Sequence, residues 1–256
     1  MSADRGMQLN TSQAIKEDEH WWFASRTRAL LNMLDGVVPN HGRRILDVGC
    51  GAGNMFHHLS RYGSVVGLEN NPKPIRIAHE RGYDVRQGQA EAMPFAEASF
   101  DLVAALDVIE HCVDDDVVLR ECRRVSAQGG LLVITTPALQ WLWSQNDEIN
   151  HHCRRYSGQE LRSKLAQAGF QVHRLAYNNF FIFPLAAALI LRRQKSGQAP
   201  TLAAPDSSDD AYQVEMEPAS PLMNTTLTAV GWTEATLLRW VNLPIGTSII
   251  CIAERQ

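Results

Sequence analysis

Nowhere in its 256 residues does the chain hold about 20 consecutive apolar residues, so no stretch is written as a membrane-spanning helix. Its five cysteines (Cys50, Cys112, Cys122, Cys153 and Cys251) are scattered, odd in number and without C-x-x-C spacing. That pattern speaks against a disulfide framework or a zinc knuckle and points to a reducing, cytoplasmic setting. The polar stretch from Met1 to Asn10 carries no apolar h-region, so no signal peptide is expected. Positive charge is not in excess either. The 24 Lys and Arg face 28 Asp and Glu, a net charge of -4, and no basic stripe is present, so a nucleic-acid partner is not expected. The hydrophobic fraction of 45% is that of an ordinary globular protein, and the length suits one large α/β domain with an appendage.

The most informative stretch is Arg44 to Asn54. Ile45 to Val48, broken only by Asp47, reads as a buried strand. Gly49, Gly51 and Gly53 follow at alternate positions around Cys50, and Asn54 to Leu59 has the spacing of a helix start. A strand running through glycines into a helix brings backbone close to a ligand and aims N–H groups at it. The dinucleotide fingerprint G-x-G-x-x-G needs its third glycine one residue later, where Asn54 stands. This G-x-G-x-G with an acid just before it, Asp47, resembles the first motif of class I S-adenosylmethionine (SAM) dependent methyltransferases.

Ser64 to Glu69 reads as the second strand. Its terminal acid lies about twenty residues past the first glycine, where a βαβ unit sets a carboxylate against ribose hydroxyls. Asn70-Asn71-Pro72 turns into a helix over 74–81, and a short third strand spans 84–86. The loop Gln87 to Phe95 resembles the adenine-contact stretch of the same family, with Gln89 in place of the usual aspartate and Ala90 beside it. A continuous apolar strand ends at Leu106, where Asp107-Val108-Ile109-Glu110-His111 follows. Asp114-Asp115-Asp116 caps a helix over 117–125, Ala127 to Gly130 reads as a turn, and Leu131 to Thr135 as the fifth strand. The order and spacing of these pieces over roughly residues 40–176 resemble the class I methyltransferase family. The resemblance implies a Rossmann-like, seven-stranded, mainly parallel α/β sheet with helices on both faces and an antiparallel last strand. It also implies SAM as cofactor (S-adenosylhomocysteine as product), held by Asp47, Gly49, Cys50, Gly51, Gly53, Asn54, Glu69, Asn70, Gln89, Ala90, Leu106 and Asp107.

Before this core, Trp21-Trp22-Phe23 opens a helical pattern up to Leu34. Either the aromatics pin that helix to the core, or they form a flap over the cofactor while Arg26 meets a carboxylate. Beyond the fifth strand lies an unusual polar and aromatic stretch holding Trp143, Asp147, His152, Arg154, Arg155 and Tyr156. Family members with a W-S-x-H-D and H-x-R-R-Y pattern close this segment over the acceptor. Asn146 stands here for the histidine of that pattern, while Asp147, His152, Arg154, Arg155 and Tyr156 match it. Trp143 is a candidate acceptor contact, Arg154 and Arg155 either form a solvated face or fork onto a phosphate or carboxylate of the acceptor, and His111, His152, Asp147 and Tyr156 are candidate catalytic residues. His111 or His152 suits a general base. Alternatively Asp107, Glu110, His111 and His152 hold a divalent metal, or Glu110 and His111 merely orient the next helix. Ser157 to Glu160 resembles a capping box for a helix over 161–168, and Phe170 to Tyr177 is the sixth strand.

Phe180 to Leu191 is an apolar run too short to span a bilayer, followed by Arg192-Arg193-Gln194-Lys195. It reads as a buried lid helix or a membrane-surface helix, so peripheral membrane contact through 180–195 is the alternative to burial. The expected organisation is a flap and helix at 1–39, a SAM-binding core at 40–177, a helical insert at 178–242 mobile near 196–220, and the last strand at 243–256. The expected function is methyl transfer, at oxygen before nitrogen or sulfur, to a small-molecule, lipid-linked or glycan-type acceptor. A non-catalytic partner protein and a nicotinamide oxidoreductase are the rival readings. No oligomeric state is read from the sequence.

Overall fold

The computed structural model describes residues 20–38, 42–196 and 220–256. The tail expected at 1–12, and all but the edges of the segment expected to be mobile near 196–220, lie outside them. The chain begins with α1 (Trp21–Asp35), whose Nδ1 cap at His20 accepts from Trp22 N at 3.3 Å. Then come β1 (Arg43–Val48), the one-turn α2 (Phe56–Leu59), β2 (Gly63–Glu69), α3 (Pro72–Glu80), β3 (Val85–Gln87) and β4 (Phe100–Leu106). α4 (Asp115–Val125), β5 (Ser126–Pro137), the short α5 (Gln145–Ile149), α6 (Gly158–Gln167) and β6 (Phe170–Asn178) follow. The chain closes with α7 (Phe183–Ser196), α8 (Pro221–Leu237) and β7 (Ser248–Arg255).

The strands form one seven-stranded sheet in the order β3-β2-β1-β4-β5-β7-β6. β1 to β5 pair in parallel, and β7 runs antiparallel between β5 and β6. Alternate residues feed two separate cores, as a strand period of two requires. Leu46, Val48, Val103, Ala105, Leu132 and Ile134 meet α4 and α6 on one face. Ile45, Leu102, Ala104, Val133, Ile250 and Ile252 meet α1 and α8 on the other. Being covered on both faces is why these strands read as unbroken apolar runs. One expectation is corrected: Ala127 to Gly130 belongs to β5 rather than to a turn. The pairing with β4 slips between Phe100 and Leu102, and Gly129 at φ +69° absorbs the bulge.

From β1 the chain winds outward to β2 and β3, then crosses back to β4 on the other side of β1. The crevice between the C-terminal ends of β1 and β4 is the topological switch point, where open α/β sheets take their ligands. The glycine loop and Asp107 both open there.

α1 and α8 lie against one another, joining the N-terminal segment to the insert. Asn32 donates to the Ala235 carbonyl at 2.7 Å, and Trp21 N donates to Asn224 Oδ1 at 3.0 Å. They approach tightly at Gly231, where a Cβ would stand 1.9 Å from Ser25 Oγ and 2.5 Å from Ser25 Cβ. Gly231→Leu is expected to pry the two helices apart, lowering stability by about 1–3 kcal/mol as overpacked sites do. A thermal midpoint several degrees below wild type would register it; an unchanged midpoint would mean that the helix pair is not fixed at this contact.

Candidate active site

Gly49, Gly51 and Gly53 all have positive φ, at +66°, +54° and +78°. Two of them are also sterically locked. A Cβ at Gly49 would meet Val108 Cγ2 at 2.8 Å, and one at Gly53 would meet the Tyr83 ring at 2.5 Å. The loop is anchored by Gly49 N and Cys50 N, which donate to the Leu68 carbonyl at 2.8 and 3.1 Å. Gly51 N donates to Glu69 Oε2 at 3.0 Å, while Glu69 Oε1 accepts from Asn70 N and Asn71 N, both at 2.9 Å. The carboxylate at the tip of β2 therefore spans the crevice-side turn and the glycine loop. Asp47 sits beneath, 2% exposed, its carboxyl pushed up to about 7 by burial and then by the charge of Glu69. Cys50 is buried, and burial raises its thiol well above the ordinary range. Asn54 is turned toward Arg81, whose guanidinium donates to Asn54 Oδ1 at 2.8 Å and to the Ala52 carbonyl at 2.9 Å. Gln89 is exposed on its loop, and Ala90 packs on the core beside it.

Across the crevice, Leu106 is half-buried and Asp107 has φ +55°. Asp107 Oδ1 accepts from Thr135 Oγ1 at 2.9 Å, and Oδ2 is ion-paired with Arg26. The Arg26 guanidinium lies 4.7 Å from the Trp22 ring centre and 5.6 Å from that of Phe23. Arg26, expected to meet a carboxylate, meets that of Asp107, itself expected on the cofactor. Their meeting is a product of helix docking that no local pattern announces. Asp107 is not among the donor groups whose ligand atoms lie within 4.8 Å of one another; among the described residues these are Glu110, His111 and His152, and the run Asp114 to Asp116.

Glu110 is wholly buried. Its Oε2 accepts from Thr136 Oγ1 at 3.2 Å, its Oε1 has no hydrogen-bond partner, and burial pushes its carboxyl up to about 8. The His111 ring stands edge-on to His152 at 4.7 Å between centres. Desolvation, then the neighbouring His152 imidazole, lowers the pKa of His111. His152 Nδ1 is 2.9 Å from Asp147 Oδ1. Asp147, 1% exposed, also accepts from Arg155 at 2.8 and 2.9 Å, from Ser144 N at 2.8 Å and from Ser144 Oγ at 3.1 Å. Burial alone would raise its pKa, but the bonds from His152 and Arg155 win and hold it at about 2.

Three of the candidate residues are engaged by hydrogen bonds within the protein. Tyr156 is fully buried, its hydroxyl donating to Asp115 Oδ2 at 2.6 Å, so it does not face the crevice. Arg154 donates to Asp115 Oδ1 and to the Val113 carbonyl, both at 2.8 Å. Arg155 is committed to Asp147 and to the Ala138 carbonyl. Both guanidinium groups tie the 140–156 segment down. Asp115, read in the sequence only as part of a helix cap, is the hub that also accepts from Lys164 Nζ at 2.9 Å. Trp143 is half-buried, and its carbonyl accepts from Gln194 of α7.

Residues 46–134 match a family model described as a methyltransferase domain. The ubiquinone biosynthesis O-methyltransferase of Paracidovorax citrulli is 33% identical over 45% of this chain and 56% of that protein. A probable S-adenosylmethionine-dependent methyltransferase of Mycolicibacterium smegmatis is 29% identical over 60% of this chain and 61% of its own. These matches thus span a little over half the length of those relatives. Among solved structures, a SAM-dependent methyltransferase of Thermotoga maritima, described as a possible histamine N-methyltransferase, superposes with a TM-score of 0.56 at 19% identity, covering 94% of this chain and 96% of that one. The [4+2]-cyclase SpnF superposes with a TM-score of 0.57 at 21% identity, covering 91% of this chain and 81% of its own. The fold is therefore the Rossmann-like methyltransferase fold, and the fold alone does not name the reaction.

Proposed function

We propose that the chain is a SAM-dependent methyltransferase acting at an oxygen of a small-molecule, lipid-linked or glycan-type acceptor. The observation that carries the reading is the Glu69 carboxylate bridging the turn after β2 and Gly51 of the glycine loop at the switch point. A carboxylate there would accept from two ribose hydroxyls, with the glycine loop facing the methionyl part. Asp47, held near neutrality, gains its charge beside the ammonium or sulfonium of SAM. Trp22 and Arg26 border the same crevice through Asp107.

The chemistry is an SN2 displacement. The acceptor oxygen forms its bond to the methyl carbon as the carbon–sulfur bond breaks, and the electron pair leaves on sulfur as S-adenosylhomocysteine. The oxygen's proton must go to a base. An ionised Asp147 accepting from Nδ1–H of His152 leaves the lone pair on Nε2 for that proton, and stabilises the imidazolium that results. His111, its pKa lowered, stays neutral beside it. A second reading is favoured by the orphaned, buried Oε1 of Glu110: with His111 and His152 it offers a donor set of one oxygen and two nitrogens for a divalent metal, which would polarise the acceptor oxygen.

Calorimetric titration tests the cofactor: SAM and S-adenosylhomocysteine are expected to bind and NADH to give no heat, and the reverse would overturn the reading. Methyl-labelled SAM with acceptor panels then tests turnover. Label transfer that survives dialysis against EDTA fits the acid–base reading, loss restored by a divalent ion fits the metal reading, and no transfer to any acceptor favours a non-catalytic protein.

A further inference from the structure

The outward side of α7 is built the wrong way round for a helix that ends in water. Leu185, Ala188, Leu189 and Arg192 recur at the spacing of one helical face, with Phe181 in the turn just before it, and all are exposed, Leu185 by 62% and Leu189 by 46%. A surface helix normally turns its polar stripe outward. The inward side is anchored: Ala187 is buried, the Phe183 ring stands edge-on to Trp141 at 6.0 Å, and Gln194 donates to the Trp141 and Trp143 carbonyls. Trp141 is itself 48% exposed. From Asn178 to Ser196 there is no Asp or Glu, while Arg192, Arg193 and Lys195 gather at the C-terminal end.

We infer that this face of α7 docks on an anionic lipid surface. Leucines entering the headgroup boundary while a cationic end meets lipid phosphates is the arrangement of an interfacial helix, and no described helix is long and apolar enough to cross a membrane. A second copy of the chain fits less well, because this segment offers no carboxylate to meet the cationic end of its twin. α7 rests on the Trp141–Trp143 segment that follows β5, so the docked surface lies on the ligand edge of the sheet. The inference stands whether or not methyl transfer is the reaction.

Co-sedimentation of the full chain with vesicles tests it. Binding to equimolar phosphatidylglycerol and phosphatidylcholine vesicles is expected, falling as salt rises, with little binding to phosphatidylcholine alone. Leu185→Gln with Leu189→Gln should lower partitioning roughly tenfold or more, from the lost apolar burial. Arg192→Gln should flatten the salt dependence. Circular dichroism of each variant, expected to match wild type, checks that it is folded. No binding to anionic vesicles, or equal binding by the double leucine variant, overturns the inference. So does a dimer, seen by light scattering, that the double leucine variant dissolves, since the stripe would then be an interface between copies.

Discussion

Glu69→Ala is expected to weaken SAM binding by about 100-fold or more in calorimetry. The side chain is asked to accept two charge-assisted hydrogen bonds from the ribose, each contributing about 1.5–3 kcal/mol. It also serves as acceptor for Gly51 N, Asn70 N and Asn71 N, so its loss loosens the loop that shapes the crevice. Glu69→Gln keeps one oxygen and the volume and should fall between the two. Removing the charge also removes one of the two influences that push Asp47 up, so the Asp47 carboxyl should ionise at lower pH in both variants. Wild-type affinity in both would place the ribose elsewhere.

Asp147→Ala is expected to harm both folding and turnover. The carboxylate is buried and holds Arg155, 10% exposed at its side chain, together with His152 and Ser144. Removing one partner of a buried ion pair leaves the other charge unpaired, which costs about 3–5 kcal/mol. The sign of the pH dependence follows from the direction of the shift. The folded carboxyl is held at about 2, below its ordinary 3.8, so its contribution to stability is complete above the higher value and drains away as pH falls through the lower. Urea unfolding at neutral and acidic pH reads this: the gap between wild type and Asp147→Ala should shrink in acid. His152→Gln separates the two effects. It should lower turnover by about 100-fold to 10,000-fold, the range of a lost general base, while leaving stability near wild type. Unchanged turnover in His152→Gln would remove His152 from the chemistry; a lost base with Asp147→Ala fully stable would mean that the carboxylate is not the keystone of the 140–156 segment.

The spacing of Gly49, Gly51 and Gly53, the acids Asp47 and Glu69, and the alternation of strand and helix were legible because each is local. A positive φ demands glycine within one residue, and a doubly covered strand must be apolar along its whole length. The Ala127–Gly130 stretch was misread for the same reason: two glycines look alike in a turn and in a bulge, and only the pairing of β5 with β4 decides. The polar residues of 140–156 show a different failure. His152, Arg154, Arg155 and Tyr156 are adjacent, and the sequence gathers them near the crevice without saying which way each points.

The chain order alone settled that this is a doubly wound α/β protein with a glycine loop after its first strand, since period and turn chemistry are written within a few residues. Tertiary structure alone decided which charged side chains meet each other. Asp107 pairs with Arg26 from 81 positions earlier, Asp115 gathers Arg154, Tyr156 and Lys164, and Asp147 takes His152 and Arg155. A charge withdrawn from water must find a partner, and which partner comes within reach depends on how helices and loops pack across the sheet.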